Sequence, residues 1–147
     1  MSVRRQQGFS LVEAMVALVV LAVGMLGIAG LYVTTLRSGG GAIYRMQAVN
    51  LASDLADRIR VNRGANVLYA GAAANNNCYG AGAVDCTPAQ MAANDLLVWQ
   101  GQVAQILPNG NSAVAVNGAA VPYTYTITIT WIEQGGVQMN YVMTLQI

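Results

Sequence analysis

The chain has 147 residues, of which 55% are hydrophobic and 9% are charged, and its net charge is +1. A chain of this length has room for one apolar anchor and one compact domain of about 100 residues. Its few and balanced charges give no basic field, so no nucleic-acid binding is expected. The sequence contains no His and no Lys. Since the commonest general base and the Schiff-base nucleophile are missing, no enzyme and no cofactor are predicted.

The amino terminus combines two arginines, a glycine and an apolar run that includes one acid. The arginines precede Gly8 and Phe9, and Glu13 lies at the beginning of the run. Residues 14–33 carry no charge, and a helix of that length spans about 30 Å, the hydrocarbon thickness of a bilayer. A carboxylate at the centre of such a segment costs roughly 3 kcal/mol and less near the interface, so Glu13 needs relief or a partner. Glu13 is therefore predicted to be functional.

The stretch Gly8-Phe9-Ser10-Leu11-Val12-Glu13-Ala14 resembles the prepilin signature of type IV pilins and type II secretion pseudopilins. In that family a prepilin peptidase cuts after the glycine and methylates the new N-terminal residue. The resemblance implies that residues 1–8 are a leader peptide, that cleavage falls between Gly8 and Phe9, and that Phe9 is N-methylated. An ordinary secretory signal, with small residues near position 29 before the cut, is the alternative.

The spacing between Phe9 and Glu13 gives the acid a role in assembly. Cleavage leaves a cationic amine at Phe9, one helical turn before Glu13. In a bundle of such helices the amine of one subunit can pair with Glu13 of a neighbour, and a buried ion pair fixes register more than it adds stability. The predicted partners are prepilin peptidase, the inner membrane, and other major and minor pilins through the N-terminal helix.

The transmembrane and assembly helix is predicted over residues 9–36 and an amphipathic helix over 42–63, with a flexible break at Ser38-Gly39-Gly40-Gly41. Asp54 and Arg58 form an i,i+4 pair that is interpreted as part of a solvated helix face. The apolar face of the second helix is predicted to contain Ile43, Met46, Leu51, Leu55 and Ile59. The run Asn50–Arg63 resembles the corresponding region of minor pilins of the PilV type, also called type IV pilus modification proteins.

Cys78 and Cys86 are the two cysteines of the chain, and they enclose a short glycine-containing loop. In an oxidising periplasm the pair would most simply form a disulfide, which stabilises a loop of this size by about 2 kcal/mol. Free buried thiols are an alternative. Redox chemistry is another, and no metal site is predicted because a metal needs more than two ligands.

Residues 64–147 are predicted to form a periplasmic head. A variable loop over 64–85 is followed by a helix over Ala89–Leu107, which Thr87 and Pro88 begin. Alternating residues then predict an antiparallel hairpin over 123–147, with a third strand near Ala113–Val116 and Trp131 in the core. The fold class is α+β and pilin-like, a long N-terminal helix packed on a small antiparallel sheet whose edge is a candidate contact surface.

Together these features predict a minor pilin that takes part in type IV pilus assembly or priming and in pilus-dependent adhesion or motility. It is expected in the inner membrane as a single-pass protein, and in the pilus after assembly. A minor pseudopilin of type II secretion is the alternative within the family, and a secreted binding domain is the alternative from another class. An enzyme would be reconsidered if Asp85, Asp95 and Glu133 met in one cleft.

Overall fold

The computed structural model describes residues 10–119 and 121–147, with the backbone alone at 37–39. The chain divides between Gly40 and Gly41 into two compact units. Its elements are helix α1 (Leu11–Val61), a 3₁₀ helix (Arg63–Ala70), helix α2 (Pro88–Ile106), and strands β1 (Asn111–Asn117), β2 (Thr124–Ile132) and β3 (Gln138–Gln146). The predicted fold class is confirmed, because the second half of the long apolar helix packs on a small three-stranded antiparallel sheet.

Helix α1 continues through Ser38-Gly39-Gly40-Gly41, so the predicted break in the helix is wrong. Each glycine costs about 1 kcal/mol of helix propensity relative to alanine but keeps its backbone donor, so a helix with long flanks continues across three of them. Gly41 also has a packing reason. A Cβ there would lie 2.9 Å from Oε2 of Glu133, so glycine leaves room for this carboxylate beside α1.

One hydrophobic core joins the second half of α1, α2 and the sheet. Both helices bury apolar residues at spacings of three and four, and β2 buries every second residue. The buried hydrophobic residues of α1, α2 and β2 are Ala48, Leu51, Ala52, Leu55, Ala56, Ile59, Ala92, Leu96, Trp99, Val103, Tyr125, Ile127, Ile129 and Trp131. Nε1 of Trp99 donates a hydrogen bond of 2.8 Å to the carbonyl of Leu51. This bond ties α2 to α1 in the middle of the core.

The buried face of α1 differs in part from the predicted one. Leu51, Leu55 and Ile59 are buried as predicted, but Ile43 and Met46 are 52% and 61% exposed. Their assignment to the packed face is therefore wrong. Alanines complete that face instead, since their small side chains let α1 approach the sheet and α2 closely.

The sheet has the order β1-β2-β3, and both pairs are antiparallel. Thr126 in the central strand lies opposite Ala115 on one side and Thr144 on the other. The backbone N–H of Glu133 donates to the carbonyl of Val137 at 2.9 Å and closes the β2–β3 turn. The predicted C-terminal hairpin is confirmed, and so is the core position of Trp131, which is 1% exposed.

The segment between α1 and α2 is only partly a loop. The 3₁₀ helix Arg63–Ala70 lies where the sequence predicts a loop, and it bends at Asn66, where φ is 47°. Few residues other than glycine adopt a positive φ, and asparagine is among those that do so most often. At the start of α2, Thr87 and Gln90 form a capping box in which each side chain accepts a hydrogen bond from the other's backbone N–H. The predicted N-cap at Thr87 is confirmed.

Two glycines in and after α2 provide a matched test of backbone packing. A Cβ at Gly110 would lie 2.3 Å from the carbonyl oxygen of Val103, whereas a Cβ at the exposed Gly101 meets nothing within 4 Å. We expect Gly110→Ala to lower the free energy of unfolding by roughly 1–3 kcal/mol. Gly101→Ala is expected to raise it by up to about 1 kcal/mol. Chemical denaturation of both full-length variants measures these changes, and equal effects would contradict the packing account.

Candidate functional site

The first candidate site is the apolar half of α1, residues 11–36. All of its side chains are exposed, and Leu11, Leu26 and Leu31 reach 78%, 73% and 70%. Helix α1 contains a stretch that is long and apolar enough to cross a membrane. A helix satisfies its backbone hydrogen bonds internally, so this surface suits hydrocarbon or other apolar helices. The hydroxyls of Thr34 and Thr35 donate to the carbonyl of Leu31 at 2.8 and 2.9 Å, which also pairs these polar groups within the helix.

Glu13 lies in the first turn of α1 and is exposed. Its backbone N–H donates to the carbonyl of Ser10 at 3.0 Å, so the helix begins just before the acid. The positive end of the helix dipole favours a carboxylate at this place by about 0.3–1 kcal/mol. Glu13 is the one residue of formal charge in residues 11–36. Gly8 and Phe9, the predicted cleavage and methylation residues, lie outside the described residues.

The second candidate site is a charged cluster around Asp95 in the head. The side chain of Asp95 is 2% exposed, and it lies on α2 among apolar core residues. Its Oδ1 accepts hydrogen bonds from Nη1 of Arg58, at 3.1 Å, and from the hydroxyl of Tyr79. Its Oδ2 accepts from the hydroxyl of Tyr69 at 2.7 Å. Three donors on three other segments therefore satisfy one buried carboxylate, as a buried charge requires.

Arg58 connects this cluster to the surface of α1. Its Nε donates to Oδ2 of Asp54 at 3.0 Å, and its Cζ lies 5.9 Å from the ring centroid of Tyr79. The predicted i,i+4 pair of Asp54 and Arg58 is thus present. The side chain of Arg58 is only 24% exposed, however, and its second partner is the buried Asp95. The interpretation of Arg58 as part of a merely solvated face is therefore wrong.

The cluster changes the acidity of its members. Burial raises the pKa of Tyr69 well above its usual range, and its hydrogen bond to Asp95 raises the pKa further. The same two causes, in the same order, raise the pKa of Tyr79. Burial lowers the pKa of Arg58, but its hydrogen bonds to Asp95 and Asp54 outweigh that effect and leave the pKa raised. All three donors thus keep their protons near neutral pH. The cluster therefore joins α1, the 3₁₀ helix and the disulfide loop to α2 without a change of charge.

A disulfide joins Cys78 and Cys86, and their Cα atoms are 5.8 Å apart. The predicted disulfide is thus confirmed. Tyr79, directly after Cys78, belongs to the loop that the disulfide closes, and its hydroxyl is one of the donors to Asp95. The disulfide loop is therefore fastened to α2 and α1 through the cluster, although its tip at Gly80 and Gly82 adopts positive φ angles and is exposed.

The three acids that could have suggested an enzyme lie in different surroundings. Asp95 is held by Arg58 and two tyrosines. Glu133 lies beside Gly41 and 3.8 Å from Arg45, and Asp85 is exposed in the disulfide loop. Within residues 10–119 and 121–147, no three His, Cys, Asp or Glu residues are grouped so that they could hold a metal.

Comparison with known proteins gives two adjoining family matches. Residues 3–29 match the prokaryotic N-terminal methylation motif. Residues 30–97 match the family Tt1218-like, described as type IV pilin Tt1218, and this range includes Arg58, Asp95 and the disulfide loop. No match was found among curated proteins or among solved structures. The two family matches support a type IV pilin with a prepilin signal.

Proposed function

We propose that the chain is a minor pilin that prepilin peptidase matures and that is incorporated into a type IV pilus. The main support for this proposal is the order of the two matches. A methylation motif at 3–29 is followed directly by a region at 30–97 that matches a type IV pilin family. These matches support a pilin of a pilus or pseudopilus. The minor type and the pilus itself are our inference, supported by the resemblance of Asn50–Arg63 to PilV-type proteins.

In this proposal residues 1–8 form a leader that keeps the subunit unassembled. Prepilin peptidase cuts after Gly8 and methylates the new amino group of Phe9. The methylated amine retains its positive charge, and it lies one helical turn before Glu13. Maturation therefore creates the cation that assembly needs, and the uncleaved chain lacks it.

Residues 9–36 would anchor the mature subunit in the inner membrane, with the head in the periplasm. The exposed apolar side chains of α1 support this anchoring, because nothing else on the chain offers a bilayer-length apolar surface among the described residues. The disulfide between Cys78 and Cys86 supports a periplasmic head, because such bonds persist in oxidising compartments.

During assembly the same apolar surface would exchange lipid contacts for contacts with neighbouring anchor helices. This exchange has little hydrophobic driving force, so packing and polar pairs decide which register is stable. A Glu13 that meets the amine of a neighbouring Phe9 satisfies both charges in the apolar bundle. Glu13 thereby selects one axial position for the incoming subunit.

Mass spectrometry of the chain purified from its native membrane tests the maturation step. A chain that begins at Phe9 and is heavier by one methyl group supports the pilin pathway. A chain that begins near Gly30 contradicts it and favours a secreted binding domain. Deletion of the gene in its own host then separates pilus from pseudopilus, since loss of surface pili with normal protein secretion supports a pilus subunit.

Gly8→Leu is expected to slow leader removal about tenfold or more, because a side chain at the cleavage residue adds a steric clash in the peptidase site. Gly24→Leu is the matched control. A Cβ at Gly24 meets nothing within 4 Å, so this variant is expected to mature normally. The ratio of uncleaved to mature chain after pulse labelling measures both rates. Equal maturation of the two variants would show that Gly8 is not the cleavage residue.

A further inference from the structure

Helices α1 and α2 leave an open groove along their seam in the head. Two adjoining cavities of about 370 Å³ and 360 Å³ form this groove, and both are lined by Asp54. Along α1 the groove extends from Gln47 to Val61, which is about 21 Å at 1.5 Å per residue. Grooves of this length between two helices are suited to an amphipathic helix, whose apolar side chains enter between the helices.

The groove is apolar at its base and acidic at its rim. Leu51, Ile106 and Met91 provide the apolar surface. Asp54 and Asp57 pair with Arg58 and Arg60 of their own helix, but they are 44% and 73% exposed, so their carboxylates remain accessible to a further cation. Oε1 of Gln47 is buried and has no hydrogen-bond partner among the described residues. A ligand with a basic group beside apolar side chains would match the charge and the apolar base of this groove.

A basic residue beside two apolar residues lies on another face of α1 in the same head. Val49 is four residues after Arg45 and three after Met46, so it lies beside both of them on the surface of α1. Their exposed fractions are 61%, 61% and 38%. Nε of Arg45 lies 3.8 Å from Oε1 of Glu133, too far for a hydrogen bond, so the half-buried Glu133 holds the 61% exposed Arg45 only loosely. We call these three residues the basic stripe.

We propose that the basic stripe of one copy docks into the α1–α2 groove of a second copy. Arg45 then meets Asp54 of the neighbour, and Met46 and Val49 contact its apolar base. The basic stripe and the groove are different surfaces of the same head. The contact is therefore heterologous, and each copy can bind another. This proposal deepens the proposed function by naming a contact between heads, and it rests on that function for the assembly that the contact serves.

Directed cross-linking of full-length chains in the membrane tests this contact. One chain carries Val49→Cys and a second, with a different tag, carries Gln102→Cys in the groove. Among the described residues both native cysteines are in the disulfide, so a short bifunctional maleimide reacts at the new positions. We expect a cross-linked product in the mixture and at least about tenfold less from either chain alone. No product in the mixture, or equal product from one chain alone, would overturn the proposal.

Placement of a charge reversal provides the matched control. Asp54→Arg in the Gln102→Cys chain alters the groove that is used, and we expect about tenfold less product. The same substitution in the Val49→Cys chain alters a groove that this cross-link does not use, and the yield should not change. Arg45→Asp in the Val49→Cys chain should restore the product with the Asp54→Arg groove. Equal loss in both placements would overturn the proposal, because it would mean a general effect of Asp54→Arg on the head.

The cross-linking result and the test of the proposed function can fail independently of each other. Cross-linking is measured on membrane-anchored chains, and the mature N-terminus is measured independently. A chain that does not begin at Phe9 contradicts the pilin pathway whatever its cross-links. A correctly matured chain without a stripe-to-groove product contradicts the head contact alone.

Discussion

Asp95→Ala is expected to lower the free energy of unfolding by about 3–5 kcal/mol, because it removes the buried partner of an ion pair and leaves Arg58 with only the more exposed Asp54. The substitution removes the acceptor shared by Arg58, Tyr69 and Tyr79. The two tyrosine hydroxyls would then be left partly buried without this acceptor, which adds to the cost. Denaturant unfolding of the full-length protein, followed by tryptophan fluorescence, measures the change, since Trp99 and Trp131 are both in the core.

Asp54→Ala is the matched control for this prediction. It removes the other carboxylate bound to Arg58, but Asp54 is 44% exposed, so the expected loss is below about 1 kcal/mol. Tyr79→Phe removes one hydroxyl and is expected to cost about 1 kcal/mol. A loss for Asp95→Ala no greater than that for Asp54→Ala would contradict the view that the buried carboxylate holds the cluster together.

Glu13→Ala is expected to leave leader cleavage intact and to reduce incorporation into filaments more than a hundredfold in competition with the unaltered chain. The reason is that the amine of a neighbouring Phe9 would enter the apolar bundle without a counter-charge, at a cost of about 3–5 kcal/mol. The measurement compares the amount of the variant in sheared filaments with the amount of mature chain in the membrane.

Glu13→Gln separates charge from size at this position. It keeps the length of the side chain and a hydrogen-bonding group, yet it lacks the charge, so it should assemble poorly as well. Glu13→Asp retains the charge and should assemble better than either. Normal filament content of Glu13→Ala, with normal maturation, would show that the acid does not set the register.

The sequence was sufficient for the elements whose patterns are local. Alternation from Tyr123 to Trp131 predicted the central strand, and Thr87-Pro88 predicted the start of α2. The glycines at 39–41 misled the prediction, because glycine propensity describes an isolated helix. A long helix with packed turns on the head side tolerates that cost. Packing against Glu133 at Gly41 is a tertiary fact that no local pattern contains.

The cluster around Asp95 was missed because its donors come from three distant parts of the chain. One signal could have found the acid. Asp95 is three residues after Ala92 and four before Trp99, so it lies on the core face of α2. A charged residue on such a face needs a buried partner. The sequence could not name that partner, since Arg58, Tyr69 and Tyr79 meet only after folding. The roles of Gly8, Phe9 and Glu13 rest on resemblance and remain predictions.

Tyr79 directly follows Cys78, so formation of the disulfide affects the contact between Tyr79 and Asp95. While the thiols are reduced, the segment that carries Tyr79 is not closed by its covalent bond, and the hydroxyl is less constrained to find Asp95. Oxidation shortens that search by limiting the conformations of the loop. In the proposed periplasmic location, the disulfide would therefore favour the contact between Tyr79 and Asp95 once the cysteines are oxidised. Formation of one covalent bond would thus also strengthen a hydrogen-bonded cluster that joins the disulfide loop to α1 and α2.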